Sequence, residues 1–376
     1  MLLFQVACWG WLWVCLAVAY TYGRVPRLDS FAPVAAVWPR VSIIVPARNE
    51  AETVVSAMAT LLRLDYPELE VVLVNDRSED GTGDLAESLA RTDPRLKVVH
   101  IQELPDGWLG KNHALHQGAA GANGELLLFT DADIHFAPSS LKRAVVALTT
   151  LNVQHLSCAP RIVCLSFWEK IFVPFFALAF GMRYRPHRAS SSDPNYYVGV
   201  GAFNLIRREV YQALGGHSLL RLQVLDDMEL AHLVKLRGYR QTGLRAVDLL
   251  EVRWTVGLEG VVKGLEKNAY AGFDYVFPQA LIGAAAATVA SVAPLVLLLL
   301  GPWWLGLAAW AAVAALSVTL AREAGGSDWA GLCLPLSGTL LAGVTMRSAV
   351  LAEVRRGIRW RGCFYPLSEL RRQHLA

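Results

Sequence analysis

Two acidic pairs hold most of the chemistry this chain offers. Asp131 and Asp133 close the stretch Leu126-Leu127-Leu128-Phe129-Thr130-Asp131-Ala132-Asp133. Four apolar residues in a row read as a buried strand of a parallel sheet. In an extended chain residues i and i+2 face the same side. The two carboxylates then converge at the C-terminal edge of the sheet, where open α/β folds bind ligands. Two hard oxygen donors there suit Mg²⁺ or Mn²⁺ holding a diphosphate. A solvated turn after a strand has the same look, and an isolated D-x-D is too common to decide between them. The second pair, Asp226-Asp227, opens a helical stretch through Leu233. Adjacent carboxylates raise each other's proton affinity, which suits a general base near neutral pH. A helix N-terminus decorated with acids is the plainer alternative.

The elements that must position these groups follow from local pattern. Val41-Ser42-Ile43-Ile44-Val45-Pro46 is a β-branched first strand, followed by Ala47-Arg48-Asn49-Glu50 and a helix. Glu70 to Asp76 is a second strand, and Asp76-Arg77-Ser78-Glu79-Asp80-Gly81-Thr82 the loop after it. Lys97 to Ile101 is a third. Gly107 to Asn112, with Lys111, reads as a Gly-bounded loop before an Ala-rich helix from Ala114 to Ala122. Lys111 there could meet a diphosphate as a point charge or be a surface lysine. Strands alternating with helices predict an α/β, doubly wound, mainly parallel sheet of Rossmann type. Each polar loop falls at a strand's C-terminal end, so all can meet in one crevice.

The chain has 376 residues, 54% of them hydrophobic, and a mean hydropathy of +0.35. Those values are high for a soluble protein. A net charge of +3 gives no argument for a nucleic-acid partner. Six cysteines without metal spacing read as free thiols. Residues 1–22 are long and apolar enough for an N-terminal transmembrane helix. Arg24, Arg27 and Arg40 after it put the following domain in the cytoplasm. Residues 166–183 are too short to span and read either as an interfacial helix or as a buried one. Residues 185–197 read as a mobile loop. Residues 256–275 form an interface segment, 276–352 hold two or three transmembrane segments, and 353–376 are a basic tail. Here the sequence contradicts itself. Three full spans after the sheet domain leave the six-arginine tail outside, whereas the positive-inside rule puts it inside. Residues 329–346 are the weakest span, and a re-entrant or interfacial placement there returns the tail to the cytoplasm.

Six motifs lie in one order across residues 40–255: Ser42 to Glu50, Val74 to Thr82, Gly110-Lys111, Thr130 to Asp133, Gly199 to Phe203, and Leu225 to Leu230. The pattern resembles membrane-anchored family 2 glycosyltransferases of the GT-A fold. The nearest subgroups are bacterial enzymes associated with hopanoid and carotenoid lipids; ceramide glucosyltransferases are further off. The resemblance implies a metal-dependent inverting enzyme of the bacterial inner membrane, multi-pass, with a cytoplasmic catalytic domain. It would move a sugar from a nucleotide sugar, a UDP-sugar, to a membrane lipid acceptor. It assigns Pro46, Ala47 and Glu50 to the nucleotide pocket and Asp76 to the base. Asp133 becomes the main ligand of Mg²⁺ or Mn²⁺, Asp131 a nucleotide or second metal contact, and Asp227, beside Asp226, the general base. The small residues of Gly199 to Asn204 would let backbone approach the sugar. Leu250-Glu251-Val252-Arg253-Trp254 half-matches the Gln-x-x-Arg-Trp of processive polysaccharide synthases. Arg253 and Trp254 could contact diphosphate and acceptor, or anchor the chain at the interface. Two alternatives remain: a processive polysaccharide synthase, and a non-catalytic membrane subunit. Intact Asp131, Asp133 and Asp227 argue against the second.

Overall fold

The structure, a computed structural model, describes residues 1–35 and 37–372. The last four residues of the expected basic tail lie outside them. Helix α1 (Leu2–Tyr22) is followed by an alternation of strand and helix: β1 (Val41–Ala47), α2 (Val54–Leu62), β2 (Leu69–Asp76), α3 (Thr82–Ala90), β3 (Leu96–Ile101), α4 (Gly110–Ala120) and β4 (Leu126–Phe129). The next part is mixed: β5 (His135–Phe136), α5 (Ser140–Thr150), β6 (His155–Ala159), β7 (Arg161–Ile162), α6 (Phe167–Tyr184), β8 (Asn204–Arg207), α7 (Arg208–Ala213), α8 (Asp226–Leu236), β9 (Gln241–Arg245) and β10 (Leu250–Val252). The chain ends in α9 (Gly257–Glu266), α10 (Asn268–Ala271), α11 (Phe277–Leu300), α12 (Trp303–Ala324), α13 (Leu334–Arg355), β11 (Gly357–Trp360), β12 (Cys363–Pro366) and α14 (Leu367–Arg372).

Seven strands form one sheet in the order β3-β2-β1-β4-β8-β6-β9. The half β3-β2-β1-β4 is parallel; β8 runs antiparallel to both β4 and β6, and β6 pairs parallel with β9. β2 and β4 are buried along their whole length and β1 nearly so, as strands covered on both faces must be. β5, β10 and β7 make a small second sheet. The parallel half matches the sequence reading, while the antiparallel β8 carries no periodic signal that marks its direction. The helix expected at Ala114 begins at Gly110, so Lys111 lies in its first turn and not in the loop. Residues 185–197 are pinned, contrary to the mobile loop expected. Ala189 is fully buried, and Lys235 Nζ donates to its carbonyl at 3.2 Å.

Among the described residues, four helices are long and apolar enough to cross a membrane: α1, α11, α12 and the segment ending in α13. Met1 lies against Gly301, and Trp9 faces Trp304 at 6.2 Å, so α1 and the α11–α12 turn share the end away from the sheet domain. At the other end Gly325 lies against the Ile162 carbonyl. The chain then turns back inward. Gly331 N donates to Ser317 Oγ at 2.9 Å, and Trp310 Nε1 to the Gly331 carbonyl at 3.2 Å. Helix α13 starts beside the middle of α11, with Gly338 against Ser291, and descends to Ser348, which accepts from Tyr270 N at 3.0 Å. Helix α13 as a whole has 22 residues, a rise of about 33 Å. Helix α6 carries a Ser166–Glu169 capping box. It packs on both the sheet domain and the helical bundle: Phe176 meets Trp254 at 4.8 Å, and Phe175 meets Trp11 at 6.4 Å. All six cysteines are free.

Candidate active site

Strand β4 delivers Asp131 and Asp133 to the C-terminal edge of the sheet. Thr130 fixes the turn: its N–H donates to the Ile44 carbonyl at 3.2 Å, and its hydroxyl to the Ala202 carbonyl at 2.8 Å. Burial, then the charges of Asp131 and Glu50, push the Asp133 carboxyl up to about 7. Lys111 Nζ reaches Asp131 Oδ1 at 2.9 Å and Asp226 Oδ1 at 3.2 Å. A lysine in the first turn of a helix opposes the macrodipole, so Lys111 needs these carboxylates. Burial would lower its pKa, but Asp131, Asp226 and Asp227 outweigh burial and hold it above the usual lysine value. Asp226 is buried at the first turn of α8. Burial, and after it Asp227 and Asp131, raise its carboxyl to about 6 against the pull of Lys111. Asp227 Oδ1 accepts from Met228 N at 2.9 Å, leaving Oδ2 toward the cleft.

These groups meet at Gly201. A Cβ placed there would stand 2.8 Å from Asp131 Oδ2, 3.5 Å from Lys111 Nζ and 3.6 Å from Asp227 Oδ2. Two residues earlier, a Cβ on Gly199 would stand 1.8 Å from the Asp227 carbonyl oxygen, so only glycine lets this loop pass α8. The stretch is a loop that leads into β8.

The loops after β1 and β2 form a second lobe of the cleft. Pro46 and Ala47 end β1 beside Val74 and Asn75. Asn49 N donates to Ser78 Oγ at 3.0 Å, Glu79 N to Asn49 Oδ1 at 2.9 Å, and Glu50 N to Thr82 Oγ1 at 2.8 Å. Asp76 is buried at the end of β2. Arg77 Nε lies 2.7 Å from it and Arg48 Nη1 3.9 Å. Polar strand ends and carboxylates of this kind suit a nucleoside, while the Lys111 side suits phosphates.

A family model described as glycosyl transferase family 2 matches residues 42–215, the stretch that holds Glu50, Asp76, Lys111, Asp131, Asp133 and Gly201. Residues 42–215 thus resemble family 2 glycosyl transferases. A probable glycosyltransferase of Bacillus subtilis, YdaM, is 36% identical over 97 residues, 25% of this chain and 23% of its own length. A 4,4'-diaponeurosporenoate glycosyltransferase of Staphylococcus aureus is 28% identical over 193 residues, 50% of each chain. The chain thus matches half or less of the length of these curated relatives. The solved mannosyltransferase PcManGT of Pyrobaculum calidifontis, in complex with GDP-Man and Mn²⁺, superimposes with a TM-score of 0.56 at 22% identity. That likeness covers 93% of this chain and 99% of the other, and the GT-A fold is common to both.

Two residues expected at the transferase site contact helix α6. Arg253 Nη2 lies 3.9 Å from Glu169 Oε1, and Trp254 packs on Phe176. Other residues join the cleft that sequence motifs did not mark. Lys267, between α9 and α10, stands 3.6 Å from the Trp360 ring centroid and feels Lys111, Asp226, Asp131 and Arg361. Burial, with Lys111 next, lowers it to about 8. Arg361 Nη2 lies 2.7 Å from Glu50 Oε1. The tail that carries it was set apart as a separate basic segment, and the arginine count alone does not say where that segment folds.

Proposed function

We propose that this protein is an inverting glycosyltransferase that moves a sugar from a nucleoside diphosphate sugar to a hydroxyl of a membrane lipid. The convergence of Asp131, Lys111 and Asp227 on Gly201 carries the reading. A lysine suited to an anion and two carboxylates, one of them the candidate base, surround one small gap. Glu50 and Asp76 hold the nucleoside, Pro46 and Ala47 line its pocket, and Lys111 faces the diphosphate. Asp227 takes the proton of the acceptor hydroxyl. The freed oxygen attacks the anomeric carbon, the bond to the diphosphate breaks, and the nucleoside diphosphate leaves.

Asp133 and Asp131 suit Mg²⁺ or Mn²⁺. Asp133 is a half-buried carboxyl beside other acids, an environment that favours a cation. Among the described residues no three His, Cys, Asp or Glu side chains group to hold a metal. An ion there would therefore draw further ligands from diphosphate and water, as Mg²⁺ does in substrate-bound sites. When bound, it would offset charge building on the leaving diphosphate. A lipid acceptor is supported by the four apolar helices and by the carotenoid-type name of the Staphylococcus relative. We place α1, α11 and α12 across a bacterial inner membrane with the sheet domain in the cytoplasm, and α13 as a re-entrant helix.

The test is a panel of UDP- and GDP-sugars added to the purified full chain with and without Mn²⁺, read by thermal stability and by transfer to extracted lipid. One donor should stabilise the protein only with the metal. Asp133→Ala should lose that stabilisation and all transfer while melting as a folded protein. Turnover unchanged in Asp133→Ala overturns the metal site, and stabilisation by no donor overturns the function.

A further inference from the structure

The C-terminal hairpin lies on the nucleotide lobe of the cleft. β11 and β12 pair from Gly357↔Pro366 to Trp360↔Cys363, and Arg361 and Gly362 turn between them. Its base is fixed. Ile358, Tyr365, Leu367 and Leu370 are buried in one apolar cluster with Leu109 and Tyr270. Leu367 N donates to the Arg356 carbonyl at 2.9 Å, and Arg371 Nη2 to the Tyr275 carbonyl at 2.9 Å. Its tip is held by exchangeable contacts. Arg361 pairs with Glu50 at 2.7 Å and donates to the Arg48 carbonyl. Arg77, which holds Asp76, reaches Cys363 Sγ at 3.9 Å.

A partly exposed ion pair contributes little to stability, so Arg361–Glu50 does not hold the hairpin down; the apolar base does. The anchored base presents a guanidinium to the pocket. A guanidinium fork matches a diphosphate, while Glu50 is the group that ribose hydroxyls would engage. In the donor-free pair each neutralises the other. Two further observations point to an absent acceptor at this spot. Arg48 Nε is buried with no hydrogen-bond partner among the described residues, and such an orphan donor is unfavourable unless something accepts from it. Lys267 Nζ stands 3.6 Å from the ring centroid of Trp360, so a second cation sits against the hairpin at the end of β11.

We propose that the hairpin Gly357–Pro366 completes the donor site: on entry of a nucleoside diphosphate, Arg361 exchanges Glu50 for the diphosphate and Glu50 turns to the nucleoside. The proposal rests on the nucleotide-sugar reading above. The test is calorimetric titration of the detergent-solubilised full chain with UDP, GDP, uridine and guanosine, in the presence of Mn²⁺. The wild type should bind one of the two diphosphates. Arg361→Ala should weaken that diphosphate by about tenfold or more, while its nucleoside binds as tightly as before or tighter because Glu50 is freed. Arg361→Lys should recover part of the loss, and Glu50→Gln should weaken nucleoside and diphosphate alike. A melting curve like the wild type's shows that each variant is folded. Diphosphate binding by Arg361→Ala that is unchanged or tighter makes the hairpin a plug and overturns the proposal. Equal weakening of nucleoside and diphosphate overturns it too, since the arginine then acts only on pocket shape. A wild type that binds neither diphosphate overturns the nucleotide-sugar reading, and this proposal with it.

Discussion

Asp226 and Asp227 are adjacent, yet their surroundings differ. Asp226 is buried and committed to Lys111 at 3.2 Å. Asp227 keeps Oδ2 on the gap at Gly201. A proton acceptor must reach the acceptor hydroxyl, so Asp227 fits the role better. Asp227→Asn is nearly isosteric and cannot take the proton. Donor binding should survive in titrations with the nucleotide sugar, and transfer should fall by roughly 10²–10⁴-fold. A larger loss from Asp226→Asn in the same rate assay would move the base to the other member of the pair. At this scale the motifs were informative, since Lys111, Asp131, Asp226 and Asp227 do share one gap. Arg253 and Trp254 read differently, because their order in the chain does not reveal that α6 lies beside them.

Among the elements, β4 sets the position of Asp131 and Asp133, and one buried network sets the entry of β4. Ser42 donates to Glu70, Asn123 N donates to Glu70 Oε2 at 3.0 Å, and Gly124 N donates to Ser42 Oγ at 2.8 Å. Lys97 closes the network on Glu70 Oε1. Burial would raise the Glu70 carboxyl, but the bonds from Lys97, Ser42 and Asn123 outweigh it and hold it at about 2, down from 4.5. The folded value lies below the unfolded one, so the ionised network stabilises the fold at neutral pH and is lost as pH falls from 4.5 toward 2. Glu70→Gln should therefore lower stability by about 2 kcal/mol at pH 7, the range of a charged hydrogen bond. In melting curves taken down to pH 3, the gap to the wild type should narrow below pH 4.5. A gap that stays constant with pH would show that shape, and not charge, makes the contribution. Pattern alone located β1, β2 and β4, because runs of buried β-branched and apolar residues have few other uses. It did not locate β6, β8 and β9 as sheet neighbours, since pairing across long connections leaves no local trace.

For the whole molecule, the conflict over the tail becomes a geometric question. Arg361 reaches Glu50, so the chain after α13 lies on the sheet-domain side. Near its start, helix α13 sets Gly338 beside Ser291 in the middle of α11, and the re-entrant placement proposed for it would leave two crossings, α11 and α12, after the domain. The tail then shares a compartment with the arginines behind α1, as the positive-inside rule asks. In a variant lacking the native cysteines, Arg372→Cys should resist a membrane-impermeant thiol reagent in intact cells and react after lysis. Trp303→Cys, at the exposed turn between α11 and α12, should react in intact cells. Labelling of Arg372→Cys without lysis would mean an odd number of crossings and would sink this arrangement.

The sequence by itself determined what depends on neighbours along the chain: the buried strands, the acids at their ends, the apolar helices and the order of the motifs. These follow from side-chain period, propensity and hydropathy, which act over one element's length. Tertiary structure alone decided what depends on residues far apart in sequence. It tied Lys111 to Asp226 and Arg361 to Glu50. It turned Arg253 toward Glu169 on α6 and stopped α13 halfway along α11. The physical reason is that a charge or an apolar face specifies the kind of partner it needs and not which one it meets. That choice is made by packing, which only the folded chain supplies.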